Sequence, residues 1–292
     1  MSAAATLPAP ARPFALQDVR LLPGPFHQAQ QAHGVRLLAV QPDALLHPLR
    51  VRADLATRPA PRRGPLPPEP AWELGRYLSA CAAMWAATSH PAFRQRLLHI
   101  TSVLQQCQQA LGGSLLLEDV GSSPQRGTLV SGLRDVLHHT GLPAAAVLLQ
   151  SWPADDAPEA AVPDADDPAR FGERVYRHDH ETLYIDRFVA SVLHWPAMGL
   201  RLRQLANCPE QGTARILLQA AERTRLVLRL RQPGWCARSV VSVNGRSFAE
   251  GRQPGAFIDL HRPWRRGDEI AVELPVRAPA PPRQNARALH IE

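Results

Sequence analysis

A chain of 292 residues, 45% hydrophobic and 20% charged, has the length for two ordinary domains and enough apolar content for a core in each, which excludes global disorder. Its 33 basic residues are all arginine and leave a formal net charge of +7. That usage fits a GC-rich bacterial gene better than a nucleic-acid surface, because arginines alternate with leucines along strand-like stretches such as 225–231.

Residues 1–20 open with an Ala- and Pro-rich leader, expected to be disordered, without the charged start and apolar run of a secretory signal. No apolar run approaches the length of a membrane span, so no membrane partner and a cytoplasmic location are expected. From Leu21 to about residue 150 the period is helical. A helix is predicted over 26–40 and a second from Pro42, where proline suits the first turn and Asp43 complements the helix dipole. Residues 57–70, rich in proline and arginine, read as a loop.

Two longer helices are predicted over 72–88 and 91–110, forming a hairpin. The first carries Gly75, Ser79, Ala80, Ala82, Ala83 and Ala86, small residues that let another helix approach closely. Residues 114–149 hold one further candidate helix, near 129–140. Residues 151–181 read as an acidic, Pro-rich linker. The period then changes to that of strands, at 200–205, 214–218, 225–231, 240–243, 257–260 and 270–274, punctuated by Asn244-Gly245, Pro254-Gly255 and Gly267-Asp268. Residues 182–277 are therefore expected as an antiparallel β-sandwich, with 278–292 a flexible tail.

Two collinear blocks carry a family resemblance. The first runs through Gly24-Pro25-Phe26, Gln28-Ala29-Gln30, Pro42-Asp43, Leu45-Leu46 and Gly75-Arg76-Tyr77-Leu78-Ser79-Ala80. The second runs through Leu183-Tyr184-Ile185, Arg229-Leu230-Arg231, Pro233-Gly234-Trp235, Val243-Asn244-Gly245 and 264–268. Together they resemble glycoside hydrolase family 127, the β-L-arabinofuranosidases. The resemblance implies an α+β multidomain fold in which residues 21–150 supply part of an (α/α)6 toroid ahead of the β-sandwich. It also implies an arabinose-containing carbohydrate as partner and a zinc-bound cysteine nucleophile opposite a glutamic acid.

The family's adjacent Cys-Cys pair is missing. Cys81, Cys107, Cys208 and Cys236 are scattered, with no cysteine between Gly113 and Thr182, so they read as isolated buried thiols and no zinc is expected in this chain. Where relatives carry histidines on the motif helix, this chain has Trp72 and Arg76. With Glu73 these are the substrate-binding candidates, by stacking, hydrogen bonding and proton donation; no catalytic or metal-binding residue is assigned. His178-Asp179-His180-Glu181 is the one dense group of metal-ligand types, and also a plausible strand entry. His138-His139 and the pairs Glu118-Asp119 and Asp155-Asp156 lack the geometry of a site. The expectation is an internally shortened, catalytically inactive relative, with self-association through helix faces that half a toroid leaves uncovered. Alternatives are an active hydrolase of arabinofuranosides with a rearranged site, or a carbohydrate-binding or scaffold module.

Overall fold

The computed structural model describes residues 11–55, 70–113, 115, 123–150, 167–179, 181–207, 212–220 and 224–275. The chain divides into two compact units, Phe14–Arg174 and Val175–Glu292, the latter taking in Met1–Pro13.

The two-residue strand β1 (Arg12–Pro13) belongs to the second unit. The first unit begins with a 3-10 turn, Leu16–Asp18, and strand β2 (Val19–Leu21). The leader expectation is therefore corrected for residues 11–20: Phe14, Leu16 and Val19 are buried, Leu16 and Val19 to 1% exposure, and burial of those apolar side chains offsets the entropy of ordering them. Helices α1 (Pro25–Ala39), α2 (Pro42–Arg52), α3 (Pro70–Thr88), α4 (Pro91–Ala110), α5 (Ser123–Thr140) and α6 (Pro143–Gln150) follow. Proline opens most of them, because its fixed φ suits the first turn and its missing N–H would be unsatisfied there.

The core of this unit centres on Leu46, Leu74, Leu78, Leu97, Ile100, Leu104 and Leu133, all with no measurable exposure. Two arginines reach the carbonyls that end helices. Arg96 donates to the carbonyls of Leu37, Leu38 and Val40 at the end of α1 and to the Tyr77 hydroxyl. Arg20 donates to Ala86 O (2.7 Å) and Ser89 Oγ (2.6 Å) at the end of α3.

The close neighbour that the small residues of α3 call for is α5. The two backbones touch at Gly75 and Gly132. A Cβ on Gly75 would meet the backbone of Thr128 and, at 2.6 Å, the amide nitrogen of Leu129; one on Gly132 would meet Gly75 itself, its Cα at 2.9 Å. The α3–α4 hairpin is present as expected, and α5 covers the opposite register of α3. The predicted 151–181 linker lies outside the described residues over 151–166 and is corrected beyond them. Asp167 caps a 3-10 turn, Pro168–Arg174, and a strand follows at once.

The second unit holds β3 (Tyr176–His178), β4 (Thr182–Ile185), β5 (Ser191–Trp195), β6 (Leu200–Asn207), β7 (Thr213–Ala220), β8 (Thr224–Arg231), β9 (Ser239–Val243), β10 (Arg246–Gly251), β11 (Phe257–Trp264) and β12 (Glu269–Glu273). One sheet runs β1-β3-β4-β8-β11 and the other carries β10-β9-β12-β7-β6-β5 in that order. All six predicted strands are present. The expectation of purely antiparallel pairing is corrected at one place, where β4 and β8 run parallel with Leu183 opposite Leu228 and Tyr184 opposite Arg229. Leu226, Leu228 and Leu230 are buried while the alternate positions are not, the inward–outward pattern the sequence announced.

Asn244 and Gly245 both have positive φ (51° and 77°), the primed-turn geometry expected between β9 and β10. Asn244 also donates to Asp268 (2.8 Å) and accepts from the Glu269 amide (2.9 Å). Among the described residues, no helix is long and apolar enough to cross a membrane.

Candidate functional site

The densest polar constellation in the helical unit is built around Arg170. Asp167 accepts from the amide of Ala169 (2.9 Å) and Pro168 takes the first position of the turn, a cap and proline start that delivers the Arg170 side chain inward. Arg170 is only 7% exposed. One terminal nitrogen donates to Asp135 of α5 at 2.8 Å and reaches Ser79 of α3 at 3.4 Å. The other donates to Glu173 at 3.2 Å, and Nε lies 4.0 Å from Asp167. Ser79 donates to the same Asp135 oxygen. Three carboxylates thus surround one guanidinium, the pairing by which a buried charge is compensated.

Two histidines flank this hub. His33 of α1 lies 3.5 Å from Asp167, and His139 stands one turn after Asp135 on α5. The Nε2 atoms of both are buried without a hydrogen-bond partner. Burial pushes His139 down to about 4, the charges of Arg170 and His138 add to that, and Asp135 opposes it. Burial also lowers His33. Glu173 moves upward, again because of burial, with Arg170 opposing.

A pH dependence follows from these directions. The unfolded chain takes up the His139 proton near pH 6.5, the folded chain only near 4. Stability is therefore full above pH 6.5 and falls as pH drops toward 4, by at most about 3 kcal/mol and by less given the partial exposure of the ring. Glu173, with its raised value, works in the opposite sense at the acid end. His139→Gln should flatten the slope of unfolding free energy, from denaturant titrations, between pH 6.5 and 4.5. An unchanged slope would show that His139 does not titrate in this way.

Chemically the hub neutralises charge and locks α1, α3, α5 and the 3-10 turn together. Asp135 and Glu173 are each held on a nitrogen of one guanidinium, and neither is left free as a nucleophile. Of the sequence candidates, Trp72, Glu73 and Arg76 all lie on α3. Arg76 is exposed, and the side chains of the other two fall outside the described residues. Arg76 stands three residues before Ser79, so the motif did point to the helix that enters the hub. Asp135, Arg170 and Glu173 were missed, although Asp167-Pro168 is a readable helix-start signal.

The metal-ligand reading of 178–181 finds no geometric support. Asp179 accepts from the amides of Glu181 (2.9 Å) and Thr182 (2.8 Å) and from the Tyr184 hydroxyl (3.1 Å), the work of a turn-capping side chain. Burial opposes its ionisation, but these hydrogen bonds hold its carboxyl below the usual range. His178 packs on Trp195, ring centroids 5.0 Å apart, and His180 lies outside the described residues. Glu118-Asp119 and Asp155-Asp156 lie there too.

A zinc–thiolate centre of the kind the resemblance implies does not fit the described residues. Cys81, Cys107 and Cys236 are free and buried, and burial raises each thiol, Cys81 to about 12. A thiol raised in this way is a poor nucleophile near neutral pH. Among the described residues no three His, Cys, Asp or Glu side chains come together as a metal site; Cys208 lies outside them.

The family model for the β-L-arabinofuranosidase GH127 catalytic domain matches residues 18–116, and that for the GH127 middle domain matches 182–276. Ser79 and His33 fall within the first match. Asp135, His139, Arg170 and Glu173 fall between the two. No curated protein matches by sequence. Among solved structures, one described as a glycoside hydrolase is similar at 10% identity and TM-score 0.52, covering 91% of this chain and 78% of its own. A GH127 β-arabinofuranosidase is similar at 10% identity and TM-score 0.54, covering 91% and 80%. A GH127 β-L-arabinofuranosidase from Geobacillus stearothermophilus T6 aligns at 18% identity and TM-score 0.33, covering 70% and 42%.

Proposed function

From the premise that this chain belongs to glycoside hydrolase family 127, the β-L-arabinofuranosidase family, we propose that it is an internally shortened member without hydrolase turnover. In this reading the helices are part of an (α/α)6 toroid and the two sheets form a β-sandwich. Support for the sandwich comes from the Tyr176 hydroxyl on one sheet, buried 2.9 Å from the Ser191 hydroxyl on the other. Retained function lies in binding arabinose-containing carbohydrate, with self-association of the helical unit as a further proposal.

The observation that carries the loss of turnover is the state of the thiols. The motif helix keeps Tyr77-Leu78-Ser79-Ala80, yet its cysteine, Cys81, is wholly buried, burial raises its thiol, and among the described residues no cluster of metal-ligand side chains stands around it. The hub carboxylates Asp135 and Glu173 are tied to Arg170. Nucleophilic displacement at an anomeric carbon needs an ionised nucleophile facing a proton donor across the sugar, and the described residues hold no such pair placed to act.

Purified full-length protein should release no nitrophenol above the buffer rate from 4-nitrophenyl β-L-arabinofuranoside, with zinc added or with chelator. Zinc-dependent turnover that disappears on replacing one cysteine would overturn the reading.

A further inference from the structure

Trp235 is presented to solvent on a loop that the protein holds rigid from beneath. It sits third in a four-residue turn closed by the Cys236 amide donating to Pro233 O at 3.0 Å, and it is 47% exposed. Below it, Gln232 is 2% exposed. Its backbone is paired with Ala256 and Gly255, both at 2.9 Å. Its side-chain amide donates to Cys236 O at 2.6 Å and accepts from the Ser239 hydroxyl at 3.4 Å. The Cys236 thiol donates to Arg238 O at 3.0 Å. Gly251 of β10 closes the arrangement: a Cβ there would strike Gln232, Ser239 and, at 2.7 Å, Ile258.

A buried, satisfied polar network is an expensive way to make a surface turn. Its effect is to fix the backbone that carries an exposed indole, so little loop freedom remains to be lost when something lands on it.

The surroundings narrow what that is. On the adjoining edge strand Glu250 is held between Arg238 (2.9 Å) and Arg252 (3.1 Å), all three solvent-facing. A register shift in β10 between Ser247 and Ala249 leaves Phe248 without a partner across the ladder and 44% exposed, the side-chain re-aiming a bulge produces. Exposed aromatics separated by charged and hydroxyl-bearing residues lack the contiguous apolar area that a protein partner buries. They suit a ligand with one C–H face and a rim of hydroxyls.

We infer that Trp235 is a stacking platform for a saccharide ring, with Arg238, Glu250 and Arg252 as hydroxyl partners. This rests on the carbohydrate-binding reading above and adds a site to it, in the strand-built unit and not in the one that contains the motif helix. Isothermal titration of the full chain with arabinotriose, and separately xylotriose, tests it. Binding of either that weakens at least tenfold in Trp235→Ala, with the melting temperature unchanged and most affinity kept in Trp235→Phe, is the expected result. Equal binding by Trp235→Ala would overturn the platform and leave saccharide binding elsewhere on the chain. No heat from either sugar would also overturn it, while the lack of turnover, read by the chromogenic assay, stands or falls separately. A sedimentation mass that drops in Trp235→Ala with sugar binding intact would assign the patch to self-association instead.

Discussion

Gly132→Ala is expected to lower the melting temperature of the helical unit by roughly 10 °C, the consequence of about 3 kcal/mol lost. A methyl group at this position projects into the backbone of α3, with the Gly75 Cα only 2.9 Å from where it must sit. A flexible side chain could swing aside, but two helix backbones can only separate. Separation thins the packing of Leu74, Leu78, Leu129 and Leu133, all buried to 1% or less. Adding a methylene to a well-packed core ordinarily costs about 1–3 kcal/mol, and here the resistance is backbone, which puts the cost at the upper end or beyond. Alanine's better helix propensity returns at most about 1 kcal/mol. Gly75→Ala should behave alike, and the double variant should fall short of additivity because both relieve themselves by the same separation. A melting temperature within 2 °C of wild type for both, by calorimetry, would mean that α3 and α5 do not cross at this point.

Arg170→Met should cost a further roughly 3–5 kcal/mol, the range for removing one partner from a buried ion cluster. The methionine fills much of the volume but leaves Asp135, Asp167 and Glu173 facing one another without a cation. Removing the guanidinium takes away the charge that opposes the upward movement of Glu173, so its carboxyl rises further and the variant should regain stability as pH falls from 7 toward 5, the reverse of the slope that His139 gives the native protein. Pairing Arg170→Met with Asp135→Asn should recover part of the loss. Denaturant titrations at pH 7 and pH 5 would measure both effects. A variant equally stable at the two pH values would show that the three carboxylates do not depend on Arg170.

The sequence made most of the secondary structure legible because each element announced itself locally. Proline at first turns placed α2 and α4, and leucines alternating with arginines placed β8. The small residues of α3 correctly called for a close neighbour. Which helix that is depended on Gly132, and a glycine inside a helix carries no address. The hub was illegible for a similar reason. Ser79, Asp135 and Arg170 are far apart in sequence, and the stretch containing Arg170 reads as acidic linker until the Asp167-Pro168 cap is given weight. Asp179 was ambiguous because a turn-capping aspartate and a metal-binding one look the same in a string of letters. Only the amides of Glu181 and Thr182, and the Tyr184 hydroxyl, distinguish them.

The parallel pairing of β4 with β8 has a consequence for how the second unit is made. Parallel neighbours cannot be joined by a hairpin, and here the chain lays down β5, β6 and β7 in the other sheet before returning. During synthesis the β5–β6–β7 meander can pair within itself as soon as Ala220 leaves the ribosome, whereas Leu183 and Ile185 wait for Leu228 and Leu230 and the far side of β7 waits for β12. The order in which partners become available is written into the topology: the meander first, the β4–β8 seam later, then β11 on its outer edge, and last β12 between β7 and β9. Until Arg231 has emerged β4 keeps one edge unpaired, and β7 keeps one until Glu273 has, and such edges are open to pairing with another chain.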